Sequence, residues 1–231
     1  MKCKKVKLFL RRKNMDERYR ETVLEYKGYT VVREHYDDPF ESPREWSNLG
    51  TMYCAHRSYN LGDEQIKDEK DLLARLLTCD ENELPFDNML AWQEVEKDYL
   101  FLPLYLYDHS GITMNTGGFS CHRDSGKVGY IVVEKDKIRK EMGWKRITRR
   151  REQKVINILK SEVDIYDCYL RGEIWNFIIW DPDGNEIDAC FGFYGDDMIY
   201  LEEAKAIIDR DIIEKEIQTE NDIIGSYVMA R

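Results

Sequence analysis

The sequence predicts an α+β fold: one compact domain of mainly antiparallel sheet with several packed helices. Three observations carry this. Short apolar runs pair across tight turns at both ends of the chain, at Lys27-Gly28 and at Asp181-Pro182-Asp183-Gly184-Asn185. Between them lie stripes of helical spacing, clearest at Val155, Leu159, Val163, Tyr166 and Leu170. Strands and helices also fall in clusters, without the regular βα alternation of a parallel sheet. With 231 residues, 42% of them hydrophobic and 12% aromatic, the chain can bury a sizeable core. The domain is read as residues 1–231, and 98–100 is where a subdivision would fall.

Taken in order, residues 4–11 and 21–36 alternate as strands, the second stretch folding on Lys27-Gly28 into a hairpin. The charged linker 12–20 reads as a loop or one helical turn. From Asp37 to Gly62 two prolines, two glycines and several Ser and Asn replace any period, so an irregular, ordered segment is expected, anchored by Trp46, Met52, Tyr53 and Tyr59. Residues 63–79 read as a helix opened by Asp63 and Glu64. Pro85 breaks it, and 86–99 reads as a second helix with Met89, Leu90, Trp92 and Val95 inward. Leu100–Tyr107 is apolar throughout, as in a strand buried on both faces, and Gly126–Val133 is its partner across a loop of about a dozen residues. Helices follow at 134–142, ended by Gly143, and at 149–170, capped by Thr148 and stopped by Gly172. The turn 181–185 joins strands 174–180 and 186–194. A last helix, roughly 198–217, starts at Asp196 or Asp197 with Ile199, Leu201, Ala204, Ile207, Ile208, Ile212 and Ile217 on or near one face.

The net charge is −10, which argues against general attraction to a phosphate backbone, so direct nucleic-acid binding is not expected. One cluster runs against this. Residues 135–154 hold ten Lys or Arg against three Asp or Glu, a balance of +7 that leaves −17 elsewhere. A phosphate- or RNA-binding patch has this composition, with Arg149, Arg150 and Arg151 at its centre, and so does a solvated helix junction. The last helix is acidic, and Glu202, Glu203, Asp209 and Glu214 form a face that could occupy a basic groove on a partner. Six cysteines without C-x-x-C spacing, no secretory signal and no apolar run near the ~20 residues of a membrane span point to free thiols in a cytoplasm.

The segment Asp108–Ser125 gathers the residue types of covalent catalysis. His109, Cys121 and Asp124 offer base, nucleophile and orienting acid, although triad partners normally converge from separate elements. His109, Cys121, His122 and Asp124 could also supply metal ligands, but the spacing is awkward for a closed tetrahedral site, and neither metal nor cofactor is expected. As a binding surface, the same loop offers Asp108, His109, Ser110 and Asp124, and the 37–62 segment offers Arg44, Trp46, His56 and Arg57 with Glu45. The plainer alternative has Trp46 and Tyr53 plugging the core while the charges are solvated.

Four blocks, SPREWSNLGTMYCAHRSYNLGDE (42–64), LPLYLYDHSGITMNTGGFSCHRDSGKVGYIVV (102–133), IYDCYLRGEIWNFII (165–179) and IDACFGFYGDD (187–197), resemble in content and order a family of uncharacterised proteins carried by bacteriophages, plasmids and integrative elements. The CHRD at 121–124 departs from the apolar or aromatic pattern of that family's second block. The resemblance implies a setting, mobile genetic elements, and no catalytic residues. Joined to the acidic balance, it leads to an expected function: an accessory protein that inhibits a host defence or nucleic-acid-handling protein, of anti-restriction or anti-CRISPR type, by covering a basic surface with the last helix and the 80–98 segment. The alternative is a binder or hydrolase of a nucleotide-like small ligand, built from 42–62 and 108–126.

Overall fold

A computed structural model describes residues 20–35, 41–195 and 200–229, with side chains as far as Ile224. The strand expected over 4–11, the linker from 12 to 19, and Asp196, Asp197 and Ile199 lie outside the described residues. In chain order the strands are β1 (Arg20–Tyr26), β2 (Tyr29–His35), β3 (Thr51–Cys54), β4 (Glu64–Gln65), β5 (Tyr99–Asp108), β6 (Ile112–Asn115), β7 (Ser125–Glu134), β8 (Ile174–Trp180) and β9 (Glu186–Tyr194). The helices are α1 (Glu69–Leu77), α2 (Asn88–Asp98), α3 (Lys135–Met142), α4 (Arg149–Arg171) and α5 (Tyr200–Met229). The fold is α+β, with two mostly antiparallel sheets. Two compact units divide the chain: Glu41–Gly172, and a second formed by described residues on either side of it. Residues 98–100 join α2 to β5 inside the first unit.

The first unit is built on a sheet of order β4-β3-β7-β5-β6. Its long central strands carry apolar runs, 100–107 in β5 and 128–133 in β7, because both faces are covered there. Leu100, Leu104 and Leu106 of β5, with Ile131 and Val133 of β7, pack against Val155, Leu159, Val163 and Tyr166 of α4 and Ile138 of α3. Tyr130 and Val132 of β7 turn the other way, with Phe101 of β5, to Leu72 of α1 and Trp92 of α2. The Trp92 ring lies 4.2 Å from Phe101 and 4.3 Å from Tyr130. A register shift at Leu104/Tyr105 leaves Val128 as an extra residue in β7, the mark of a bulge. Next to it, Gly129 is required by close approach: a Cβ there would stand 1.8 Å from the Tyr53 carbonyl oxygen of β3.

Several elements differ from expectation. The segment 37–62 contains β3, a strand between β4 and β7, and a 3₁₀ turn at Pro43–Glu45. The helix expected from Asp63 begins instead at Asp68, whose carboxylate accepts the Lys70 and Asp71 N–H groups, and Glu64 belongs to β4. Asp63 is unavailable as a cap because its carboxylate binds Arg44 and the Met52 N–H. The loop between β5 and β7 carries the short edge strand β6. On α2 the buried side is Ala91 and Val95, while Met89 and Leu90 are exposed rather than inward. Trp46 is 45% exposed and plugs no core. The stripe on α4 and its Gly172 stop are as expected, with Gly172 at φ 70°, although Thr148 makes no side-chain cap bond.

The second unit is an antiparallel sheet, β1-β2-β8-β9, with α5 across one face. The hairpin turn places Lys27 at φ 52° and Gly28 at φ 85°, the two left-handed residues of a type I′ turn. Ala204 and Ile208 of α5 are buried against Val31, Phe177 and Ile179. Lys215 donates to Asp181 at 2.9 Å and lies 3.0 Å from Asp211, and the Tyr29 hydroxyl donates to Asp211 at 2.7 Å. The last helix is therefore longer than expected, and Ile217 is 53% exposed instead of inward.

Candidate functional site

The loop that the sequence marks for chemistry lies at one end of the first unit's sheet, where β5 ends and β7 begins. The Asp108 N–H donates to the Asp124 carbonyl at 2.8 Å, closing the loop's base. His109 and Ser110 form the turn into β6, with Ser110 at φ 63°, a left-handed conformation that side chains other than glycine seldom adopt. Asp124 Oδ2 accepts from Cys121 Sγ at 3.5 Å and stands 3.7 Å from His109 Nδ1. The three proposed catalytic residues thus meet, but in the order thiol–carboxylate–imidazole. Cysteine catalysis needs the imidazole against the sulfur and the acid behind the imidazole. With the acid in the middle, the trio locks a loop and has no base on its nucleophile. Among the described residues no three His, Cys, Asp or Glu side chains group to hold a metal ion.

Part of the 42–62 segment reaches the same end. The Tyr59 hydroxyl donates to Asp108 Oδ1 at 3.4 Å, and the Tyr59 ring stacks on His56 at 4.8 Å. Burial first, then the Asp108 carboxylate, holds the Tyr59 phenol above its ordinary 10. His56 Nδ1 accepts from the Ser58 and Tyr59 N–H groups, so this imidazole shapes the turn and has only Nε2 to offer a ligand. Arg57 beside it is exposed.

Arg44 does something else. Its side chain is 4% exposed and clamps Asp63 with two bonds, of 2.9 and 2.6 Å. It also donates to the Gly50 carbonyl at 2.7 Å and to Glu162 of α4 at 3.2 Å. Glu162 in turn accepts the Leu49 N–H at 2.7 Å. This knot fastens the irregular 42–52 stretch to α4, and four of the five guanidinium donors are used within it. Arg44 is a structural tie, with one guanidinium donor left outside the knot.

A recess with room for a small molecule lies elsewhere in the unit. A cleft of about 270 Å³ is lined by Thr51 and Tyr53 of β3, Arg75 of α1, Tyr99 of β5, Glu134 of β7 and Lys137 of α3, over a floor that includes Val132. Residues 42–62 contribute to it and 108–126 do not. Arg75 is held by Asp71 at 2.8 Å, and Lys137 donates to the Asn48 carbonyl at 3.0 Å.

The acidic face on α5 also separates into parts. Asp209 is taken by Lys27 at 2.8 Å and ties the helix to the β1–β2 turn, and Glu202 pairs with Lys205 one turn on. Glu203 and Glu214 are exposed, and no hydrogen bond or ion pair holds either among the described residues. Beyond Lys215 the exposed acids continue through Glu216, Glu220 and Asp222. Among them stand Ile213, Ile217, Ile223 and Ile224, each at least half exposed. At about 100° per residue, Ile217 lies on the opposite side of the helix from buried Ile208, and Ile213, Ile217 and Ile224 share that side. The first unit has a smaller analogue. Phe86, fully exposed, joins Met89 and Leu90 near Glu83, Asp87 and Glu94, all exposed. Sequence reasoning missed both apolar patches because it placed Met89, Leu90 and Ile217 inward. The available signal was that none of the three keeps the four-residue step that joins Ala91 to Val95 and Ala204 to Ile208.

No protein-family model, curated protein or solved structure matches the chain. No helix among the described residues is long and apolar enough to cross a membrane.

Proposed function

We propose that this protein is a binding module that covers a basic, nucleic-acid-handling surface of another protein with the acidic, isoleucine-bearing side of α5. The observation that carries the reading is the second apolar stripe of α5, Ile213, Ile217 and Ile224, flanked by Glu214, Glu216 and Glu220 and facing away from the helix's own core. An amphipathic helix of this kind docks in a groove by its apolar anchors. Its charge selects the groove. Acidic flanks oppose pairing with a second copy of the same helix and oppose anionic lipid, which recruits helices with cationic polar faces. They favour a groove with a basic rim. Surfaces that hold nucleic acid are of that sort, and a protein seated there excludes the nucleic acid. In the mobile-element setting that the resemblance implies, the target is a host defence or nucleic-acid enzyme, and the activity is counter-defence by occlusion. The Phe86–Met89–Leu90 patch offers a second acidic, apolar contact in the other unit.

The test is capture from host lysate with the full chain and with a variant carrying Glu214→Lys, Glu216→Lys, Glu220→Lys and Asp222→Lys. The expected result is a nucleic-acid-handling protein held by the unmodified chain, released as salt rises, displaced by added DNA and absent from the variant. Captured proteins that are the same for both chains, or that DNA does not displace, contradict the reading.

One observation favours a second reading, a small nucleotide-like ligand. The cleft lined by Tyr53, Tyr99, Arg75 and Lys137 has the concave, mixed lining of such sites. Under this reading a nucleotide panel raises the melting temperature of the protein, and Tyr99→Phe reduces the rise.

A further inference from the structure

We infer that the junction of α3 and α4 is a second binding face, which grips the phosphate backbone of nucleic acid without reading its sequence. The basic run 135–154 divides in the structure into committed and free cations. Lys135 and Lys137 donate to backbone carbonyls, and Arg139 pairs with Asp136. Arg151 lies over the Trp144 ring at 4.9 Å and donates to the Arg146 carbonyl at 2.8 Å. These contacts build the junction, and Trp144 and Ile147 seat it on the core. Lys140, Lys145, Arg146, Arg149, Arg150 and Lys154 remain, all exposed and without a partner among the described residues. The free acids of the run, Glu141 and Glu152, do not balance them.

A solvated helix end does not call for this arrangement. The first turn of α4 carries Arg149, Arg150 and Arg151, where the helix dipole is already positive and cations are unfavourable. Six unpaired cations gathered on one short stretch also repel one another. An anion that bridges them relieves both costs. Arginine forks match phosphate oxygens in pairs, and a polymer of phosphates can engage several side chains at once, as a single small anion cannot. The patch has the wrong surface for a membrane: none of the exposed large hydrophobic residues lies between 135 and 160, so no side chain is available to enter lipid. The net charge predicted no nucleic-acid contact. The local field, screened over about 10 Å at ordinary ionic strength, decides instead. The face is separate in residues from the acidic stripe of α5, so either proposal can fail alone. If both hold, the protein engages a nucleoprotein by its protein and by its nucleic acid.

The experiment is anisotropy titration of fluorescein-labelled, mixed-sequence DNA, single-stranded and duplex, with the full chain at several salt concentrations. Saturable binding is expected, weakening linearly on a log–log plot against salt. The variant Arg149→Gln/Arg150→Gln should lose about tenfold or more in affinity at low salt and reduce the salt slope by about 2. Both arginines are exposed and unpaired, so the fold should survive, and an unchanged melting curve checks this. Lys145→Gln/Arg146→Gln gives an independent second pair with the same expected loss. No binding of either DNA at low salt overturns the proposal, as does equal binding by both variants and the unmodified chain. Binding to phosphatidylserine vesicles with none to DNA also overturns it, and places the partner in lipid.

Discussion

Helices α4 and α5 are the two longest of the described helices, one opening on basic residues and the other acidic, yet they stand differently in the molecule. α4 runs 23 residues and buries Val155, Leu159, Val163, Tyr166 and Leu170 along nearly its whole length. α5 runs 30 residues, and its buried positions, Tyr200, Ala204 and Ile208, end within its first third. Past that point Ile212 is only partly buried against the same core, and Lys215, one turn on, binds Asp181 and Asp211. Ile213, Ile217 and Ile224 lie on the other side. A helix with one stripe is held by its own unit, whereas a helix with two stripes on opposite sides keeps one of them for something else. That difference is the physical basis for the proposal that recognition falls to α5 while α4 serves stability.

The largest effect expected along this line is at Glu162 of α4, whose carboxylate is 11% exposed and holds Arg44, Leu49 and Gly50. Glu162→Ala leaves the Arg44 charge buried with one acid fewer and should cost about 3–5 kcal/mol in chemical denaturation. Glu214→Ala on α5, removing an exposed acid, should cost almost nothing. Leu159→Ala, at a fully buried position, should cost about 2–5 kcal/mol. Ile217→Ala should stay within about 0.5 kcal/mol while weakening partner capture. Equal losses at 159 and 217 would mean that α5 is covered in the free protein, and would remove the comparison.

A smaller effect sharpens the picture of how α5 is anchored. The Lys215 ammonium, and after it the Asn185 N–H, holds Asp181 well below its ordinary 3.8. A depressed carboxylate contributes stability in full above that ordinary value and loses it as the pH falls toward the folded-state value. Acid unfolding of the second unit should therefore steepen below pH 3.8. Asp181→Asn should flatten that limb, with ellipticity against pH as the readout. Cys54, pushed up to about 12 by burial, should meanwhile remain unreactive to thiol reagents until the first unit opens.

The sequence was most informative where structure is local. The step of three and four residues on α4 needs only a neighbouring turn to be read, and so does the 181–185 turn, whose Asp181 accepts the Asp183 and Asn185 N–H groups. What it hid depends on distant pairing. β3 is four residues long in a stretch rich in Gly and Pro, and becomes a strand because β7 and β4 lie on either side of it. Arg44 is 19 residues from Asp63 and 118 from Glu162, so nothing near it marked a buried tie. For His109, Cys121 and Asp124 the sequence foresaw proximity and could not foresee order, and the order removes the triad. The exposed isoleucines of α5 were present as letters, but only the position of the sheet beneath Ile208 tells which side of the helix is free.

Amide hydrogen exchange along the full chain, alone and bound to the captured protein, reads directly which segment meets the partner. Weak protection is expected over 211–224 in the free protein and strong protection over α4. On binding, the gain in protection should concentrate at 211–224, with the 42–62 and 108–126 segments unchanged. Protection gained at 42–62 and 108–126 while α5 stays as it was would contradict the account and return recognition to the end of the first unit's sheet.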